Sequence, residues 1–167
     1  NSPQPNLGSD FNLCEGSTQL LNPGTSPTYS YLWSDGSSGI NYVVDSTEQV
    51  IVTVTDAIGC SGIDTVNVTW IQLPIVNIGS NASYCEGQQI NLNAYWPNAT
   101  YYWQDGSTNS SLTATTTGTY IVEVTIAGCM SSDNVDLIFD PVPKINFGND
   151  TTICKGIPLF LDATTPN

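Results

Sequence analysis

The sequence contains no histidine and no arginine, and its two lysines, Lys144 and Lys155, lie in the last quarter of the chain. Without histidine, no Ser-His-Asp or Cys-His arrangement is available for nucleophilic catalysis. Lysine and arginine supply most of a protein's affinity for nucleic acid and for anionic lipid. We therefore expect no nucleic-acid partner and no enzymatic activity, and fifteen acidic residues favour solubility and repulsion between neighbouring parts.

Long apolar runs are missing as well. No stretch approaches the roughly eighteen apolar residues of a membrane span, and residues 1–20 lack the charged start and apolar run of a signal peptide. We expect no direct membrane insertion, and the repeats described below indicate an internal piece of a longer protein.

Metal-binding patterns are scarce too. The sequence has neither histidine nor a Cys-x-x-Cys spacing, so we expect no metal and no cofactor. Asp35 and Asp105 lie in Asp-Gly-Ser turns, where a single carboxylate typically caps its own turn. One alternative stays open, which is calcium between Asp140 and the segment 146–150.

What the sequence does contain is a repeat of about 70 residues. Three Cys-x-Gly motifs begin at Cys14, Cys85 and Cys154, and each follows an Asn-x-Gly-x-Asp/Asn motif. Trp33 and Trp103 occupy matching Trp-x-Asp-Gly-Ser segments. Proline-containing junctions separate the copies, which predicts domains at 1–72, 73–141 and 142–167, the last of them truncated.

Ser, Thr, Asn and Gly dominate the polar residues, and short stretches alternate between apolar and polar side chains. Val50, Val52 and Val54 alternate with Ile51, Thr53 and Thr55, and the same pattern recurs at 120–126. Such alternation between turns predicts an all-β fold of tandem β-sandwich modules. Trp33 and Trp103 are expected in the two cores because they alternate with apolar neighbours on a strand.

The cysteines suggest one internal disulfide in each module. Pairing Cys14 with Cys60 and Cys85 with Cys129 gives every module the same bond and leaves Cys154 for a partner outside the sequence. A loop of roughly 45 residues closed in this way would stabilise a small sandwich by about 4 kcal/mol. Disulfides also indicate an oxidising, extracellular setting.

Taken together, the Cys-Glu-Gly, Tyr-x-Trp-x-Asp-Gly-Ser and Val-Thr-Val-Thr-Asp-Ala-x-Gly-Cys motifs resemble the immunoglobulin-like and PKD-like repeats of large secreted Bacteroidetes adhesins, including gliding-motility adhesins. The resemblance implies type IX secretion and display at the cell surface. It implies a non-catalytic stalk that spaces or presents a binding head, with neighbouring repeats, surface glycans or the motility machinery as partners. The alternative is a carbohydrate-binding or spacer module of a secreted polysaccharide-degrading enzyme.

Two kinds of surface site remain as hypotheses. Aligning Pro27 with Pro97 shows that Tyr95 and Trp96 form an aromatic pair found only in the second repeat, and such a pair offers a stacking platform for a glycan. The short Asp-Ser/Thr-x pattern used for O-glycosylation in Bacteroidetes also occurs three times. Its acceptor residues are Ser46, Thr65 and Thr151.

Overall fold

The structure is a computed structural model that describes residues 2–145 and 152–160. The prediction of an all-β fold is confirmed, since these residues form twelve strands and no helix. The strands are β1 (Phe11–Cys14), β2 (Gln19–Leu21), β3 (Ser30–Trp33), β4 (Tyr42–Val44), β5 (Glu48–Thr55), β6 (Ser61–Ile71), β7 (Ala82–Cys85), β8 (Ile90–Asn93), β9 (Thr100–Trp103), β10 (Ser111–Ala114), β11 (Gly118–Ile126) and β12 (Cys129–Asp140).

The strands form two modules of the same design, module 1 from β1–β6 and module 2 from β7–β12. In module 1 a four-stranded sheet has the order β1-β6-β5-β3, and β2 pairs with β4 in a second sheet. Module 2 repeats this arrangement with β7-β12-β11-β9 and with β10 beside β8. The first strand of each module runs parallel to the last one, whereas the other pairings are antiparallel.

Each module has its own apolar core, built by the alternation seen in the sequence. Val50, Val52 and Val54 are fully buried on one face of β5, and Val122 and Val124 repeat them on β11. The two clusters of buried residues share no member. Each module therefore buries enough apolar surface to form its own core.

A tryptophan lies at the centre of each core. Trp33 is 2% exposed and Trp103 is fully buried. The indole N–H of Trp33 donates to the carbonyl of Gly39 (2.7 Å), and that of Trp103 donates to the carbonyl of Asn109 (2.8 Å). Both rings are thus buried without leaving their one polar group unpaired.

The predicted disulfides were wrong. Cys14 is bonded to Cys129, while Cys60 and Cys85 carry free, exposed thiols, as does Cys154. The described bond joins module 1 to module 2, so neither module contains the internal disulfide that we expected.

The parallel pairing of the first and last strands explains this result. Cys14 lies opposite Ile71, the last residue of β6, whereas Cys60 comes directly before Ser61, its first residue. The two ends of β6, which has 11 residues, lie about 33 Å apart. A disulfide requires Cα atoms within about 7 Å, so Cys14 and Cys60 cannot be joined within a module. Cys85 and Cys129 are separated in the same way by β12.

Candidate functional site

The first candidate site is the joint between the modules, which we define as Cys14, Cys129, Asn12 and Ala127. The Cα atoms of Cys14 and Cys129 are 5.5 Å apart. Beside the disulfide, the side-chain amide of Asn12 donates to the carbonyl of Ala127 (3.2 Å). A covalent bond and a hydrogen bond therefore connect the end of β1 to the turn between β11 and β12.

Local structure holds Cys14 at the end of its module. The N–H of Glu15 donates to the carbonyl of Ile71 (2.9 Å), which extends the pairing of β1 with β6 by one residue. Gly16 has a φ of 77°, and the N–H of Ser17 donates back to the carbonyl of Cys14 (2.9 Å). Glycine suits this turn because a left-handed backbone costs it little.

On the other side of the joint, a tight hairpin presents Cys129. Ala127 and Gly128 connect β11 to β12 with φ values of 49° and 88°, as a two-residue turn with both central residues left-handed requires. Cys129 is the first residue of β12 and is 1% exposed. The disulfide is therefore shielded from solvent on the module 2 side.

The second candidate site is an open pocket of about 600 Å³ in module 2. Its lining includes Tyr95, Trp96, Tyr101 and Asn109. The Tyr95 ring is 66% exposed, whereas the Trp96 ring is half-buried against the core of module 2. The aromatic pair singled out in the sequence thus lies at one pocket, with one ring free to stack and one ring partly used for packing.

The loop that carries this pair is anchored by one hydroxyl. The Tyr101 hydroxyl accepts from the N–H of Trp96 (3.0 Å) and donates to its carbonyl (2.9 Å). In module 1 the Tyr31 hydroxyl donates to the carbonyl of Ser26 in the same way (2.6 Å). Both modules therefore share the anchored loop, and module 2 has Tyr95 and Trp96 directly before the loop proline where module 1 has Thr25 and Ser26.

The carboxylates of the Asp-Gly-Ser turns are engaged locally. Asp35 accepts from the N–H of Ser37 (2.8 Å), and Asp105 accepts from that of Ser107 (2.9 Å). These hydrogen bonds hold the pKa of both carboxyl groups below the usual value of 3.8. Each aspartate therefore caps its own turn.

The remaining sites of the sequence analysis are only partly described. Ser46 and Thr65 are exposed, while Thr151 and the segment 146–150 of the calcium hypothesis lie outside the described residues. Within residues 2–145 and 152–160, no cluster of three or more Cys, Asp or Glu side chains could hold a metal ion. The same residues include no helix of the length and apolarity needed to cross a membrane.

No protein-family model matches this chain, and no curated protein matches it either. Among solved structures, extracellular domains 3–5 of Drosophila OTK match 83% of this chain with a TM-score of 0.54 and 15% identity, and the chain covers 60% of that structure. An I67–I69 fragment of the titin I-band matches 80% of the chain with a TM-score of 0.42 and 11% identity, and 63% of that fragment is covered. The first two immunoglobulin domains of DIP-gamma match 83% of it with a TM-score of 0.40 and 12% identity, and 98% of that structure is covered. The OTK match shows the fold alone: two consecutive immunoglobulin-like modules.

Proposed function

We propose that this chain is a non-catalytic stalk segment of a secreted adhesin displayed on the cell surface, with modules at residues 1–72, 73–141 and 142–167. The observation that carries the proposal is the Cys14–Cys129 bond between modules. A binding domain that only needs to present a loop gains nothing from such a bond. A spacer benefits from it, because the bond fixes the distance between its units.

The position of the Cys14–Cys129 bond also determines how the segment responds to a pulling force applied at its two ends. Tension that enters through the first residues reaches Cys14, crosses the disulfide to Cys129 and leaves along β12. The residues between the two cysteines, which are separated by 115 positions in the sequence, are bypassed, and they contain β2 to β11. The stalk can therefore bear force while most of both modules carries none.

Single-molecule pulling from the two chain ends tests this function. The oxidised chain is expected to release no length from the bypassed residues. Cys14→Ser/Cys129→Ser is expected to release about 400 Å more contour length, since an extended residue spans about 3.5 Å.

Cys60→Ser/Cys85→Ser is the matched control, because it removes two exposed thiols and leaves the joint intact. It should extend like the unchanged chain. Equal contour lengths for the oxidised chain and Cys14→Ser/Cys129→Ser would refute a force-bearing stalk.

Extracellular display agrees with the oxidised joint, since disulfides persist in oxidising compartments. The resemblance to Bacteroidetes adhesin repeats adds type IX secretion and gliding motility to the proposal. Ser46, Thr65 and Thr151 are proposed O-glycosylation sites, and neighbouring modules, surface glycans or the motility machinery are proposed partners. Two acceptors, Ser46 and Thr65, are exposed, as a modifying enzyme requires.

A second function, glycan binding at Tyr95 and Trp96, is favoured by the exposed Tyr95 ring beside an open pocket. Tyr95→Ala removes a ring that is mostly in solvent, so it should lower binding on a glycan array at unchanged thermal stability. Tyr102→Ala, which removes another mostly exposed ring that does not line the pocket, is the control. If Tyr95→Ala and Trp96→Ala both leave binding unchanged, the pocket does not bind glycans.

A further inference from the structure

The pocket beside Tyr95 and Trp96 is uncharged. Of the described residues that line it, none is acidic or basic, and its polar side chains other than tyrosine are asparagine, threonine and serine. Asn98, Thr108 and Asn109 are exposed, so their amide and hydroxyl groups are in contact with solvent. The pocket therefore combines aromatic rings with hydrogen-bonding groups that carry no charge.

The turn before β9 holds Asn98 at this pocket. The N–H of Ala99 donates to the carbonyl of Trp96 (3.3 Å), which closes a turn with Pro97 and Asn98 at its two central positions. Asn98 has a φ of 59°, a left-handed conformation that asparagine adopts more readily than most residues. The Tyr101 hydroxyl also bonds to both backbone groups of Trp96, as described above. The position of Asn98 is therefore fixed by the backbone.

Module 1 uses the matching positions differently. The hydroxyls of Ser26 and Thr28 are hydrogen-bonded to each other (2.9 Å), so the loop of module 1 pairs its own polar side chains. In the alignment of the two repeats, Trp96 occupies the position of Ser26 and Asn98 that of Thr28. Trp96 offers no hydroxyl for this bond, which leaves the Asn98 amide available to a ligand.

Charge determines which sugars suit such a pocket. The chain has a net charge of −13, and its only cationic residues, Lys144 and Lys155, do not line the pocket. A uronic acid or a sulfated sugar would bring negative charge to a negatively charged protein without a cation to pair it. A neutral sugar avoids this repulsion. Its C–H face can stack on an aromatic ring, and its hydroxyls donate and accept hydrogen bonds, as an asparagine amide does.

We propose that this pocket binds neutral glycans and rejects acidic ones, with Tyr95 as the stacking ring and the amides of Asn98 and Asn109 as partners of the sugar hydroxyls. Trp96 packs partly on the core of module 2 and so supports the turn that carries Asn98. This inference rests on the proposed glycan binding at Tyr95 and Trp96, and it names the class of glycan that the site takes.

The test is binding of the full chain to an array of glucose, mannose and galactose oligosaccharides of defined linkage. Each neutral oligosaccharide is paired with its C6-oxidised uronate form, which has the same linkage and differs in charge. Binding that is lost in Tyr95→Ala is assigned to the pocket. We expect such binding on neutral members of the array and none on their uronate partners.

Two further variants test the amides. Asn98→Gly keeps the turn, because glycine adopts a positive φ freely, and should weaken binding to the same neutral glycans about tenfold at unchanged thermal stability. Asn109→Ala should weaken it similarly, since only its side chain is changed and its carbonyl still accepts from Trp103. Asn91→Ala, which removes an exposed amide outside the pocket, is the matched control and should bind like the unchanged chain.

The outcomes separate this inference from the function on which it rests. Binding to the uronate forms that equals or exceeds binding to the neutral ones, and that is lost in Tyr95→Ala, would overturn the neutral preference and leave glycan binding standing. Unchanged binding in both Asn98→Gly and Asn109→Ala would overturn the roles of the amides. If no glycan on the array is bound in a way that depends on Tyr95, both the glycan-binding function and its neutral preference are wrong.

Discussion

At the scale of single residues, the two buried tryptophans show how one side chain organises a module. Trp103 fills the core of module 2 from β9, and its neighbour Tyr102 points to solvent with 58% of its surface exposed. Adjacent residues of one strand thus have opposite roles, because successive side chains of a strand point to opposite faces.

Trp103→Ala should lower the free energy of unfolding of module 2 by about 3 to 5 kcal/mol, since it leaves a large cavity and removes the hydrogen bond to Asn109. Tyr102→Ala is the matched control, expected to change stability by less than about 0.5 kcal/mol. Urea unfolding followed by circular dichroism measures both. Similar losses for the two variants would contradict the assignment of Trp103 to the core.

Tyr42 gives the chain a predicted sensitivity to alkali. Its ring stacks on Trp33 (centroids 5.2 Å apart), and its hydroxyl donates to the Glu48 carboxylate (3.0 Å). Burial, followed by the hydrogen bond and charge of Glu48, raises the pKa of Tyr42 from 10.0 to about 12. Folding therefore favours the neutral phenol.

Because the folded pKa of Tyr42 is the higher one, its contribution to stability is complete below pH 10 and is lost as the pH rises to about 12. Tyr42→Phe should make unfolding less dependent on pH over that interval, as measured by denaturant titrations at a series of pH values. Tyr102→Phe, at an exposed position, should keep the original dependence. An unchanged pH dependence in Tyr42→Phe would refute this role.

At the scale of elements, the hairpins before the last strands differ between the two modules. In module 2 the turn is two residues long and forces Ala127 into the left-handed region, with a φ of 49°. In module 1 the hairpin is longer and is closed by Asp56, and Ala57 has no positive φ. Alanine therefore has a positive φ in the hairpin of module 2 and none in the equivalent hairpin of module 1.

Ala127→Gly should stabilise module 2 by up to about 1 kcal/mol, because glycine relieves the cost of a left-handed alanine. Ala57→Gly should instead destabilise module 1 by about 0.4 to 1 kcal/mol, since it only adds freedom to the unfolded chain. Thermal and urea unfolding of the two variants provide the comparison. Shifts of the same sign would contradict the backbone assignment of Ala127.

The elements also show how far the sequence can predict this structure. Alternation of apolar residues on β5 and β11 was sufficient to predict these strands and their buried faces, because burial on a strand follows a period of two. The parallel pairing of β1 with β6 could not be predicted from this alternation. Short parallel pairings carry no local signal, and the end of β6 that Cys14 approaches depends on that pairing.

The disulfide prediction was wrong because the parallel pairing of β1 with β6 was not predicted. Pairing within each module gives every repeat the same bond, yet pairing the first cysteine of a module with the second cysteine of the next is equally uniform along an array. The aromatic pair was easier to locate, because Tyr95 and Trp96 are a local departure from the repeat. Their differing exposure, however, depends on packing against residues distant in sequence.

At the scale of the whole molecule, the joint determines how freely the two modules move relative to each other. Two sandwiches with separate cores and a short connection could turn relative to each other. The disulfide between β1 and the start of β12, together with the hydrogen bond from Asn12, restricts that motion. The proposed stalk and its path of tension both depend on this one bond.

Disulfide mapping of the purified, unreduced chain is therefore the most direct test. Free thiols are first blocked with an alkylating reagent, and the protein is then digested and analysed by mass spectrometry. The structure predicts a linked peptide pair that contains Cys14 and Cys129, with the reagent attached to Cys60 and Cys85 in the monomer. Linked pairs of Cys14 with Cys60 and of Cys85 with Cys129 would contradict the joint.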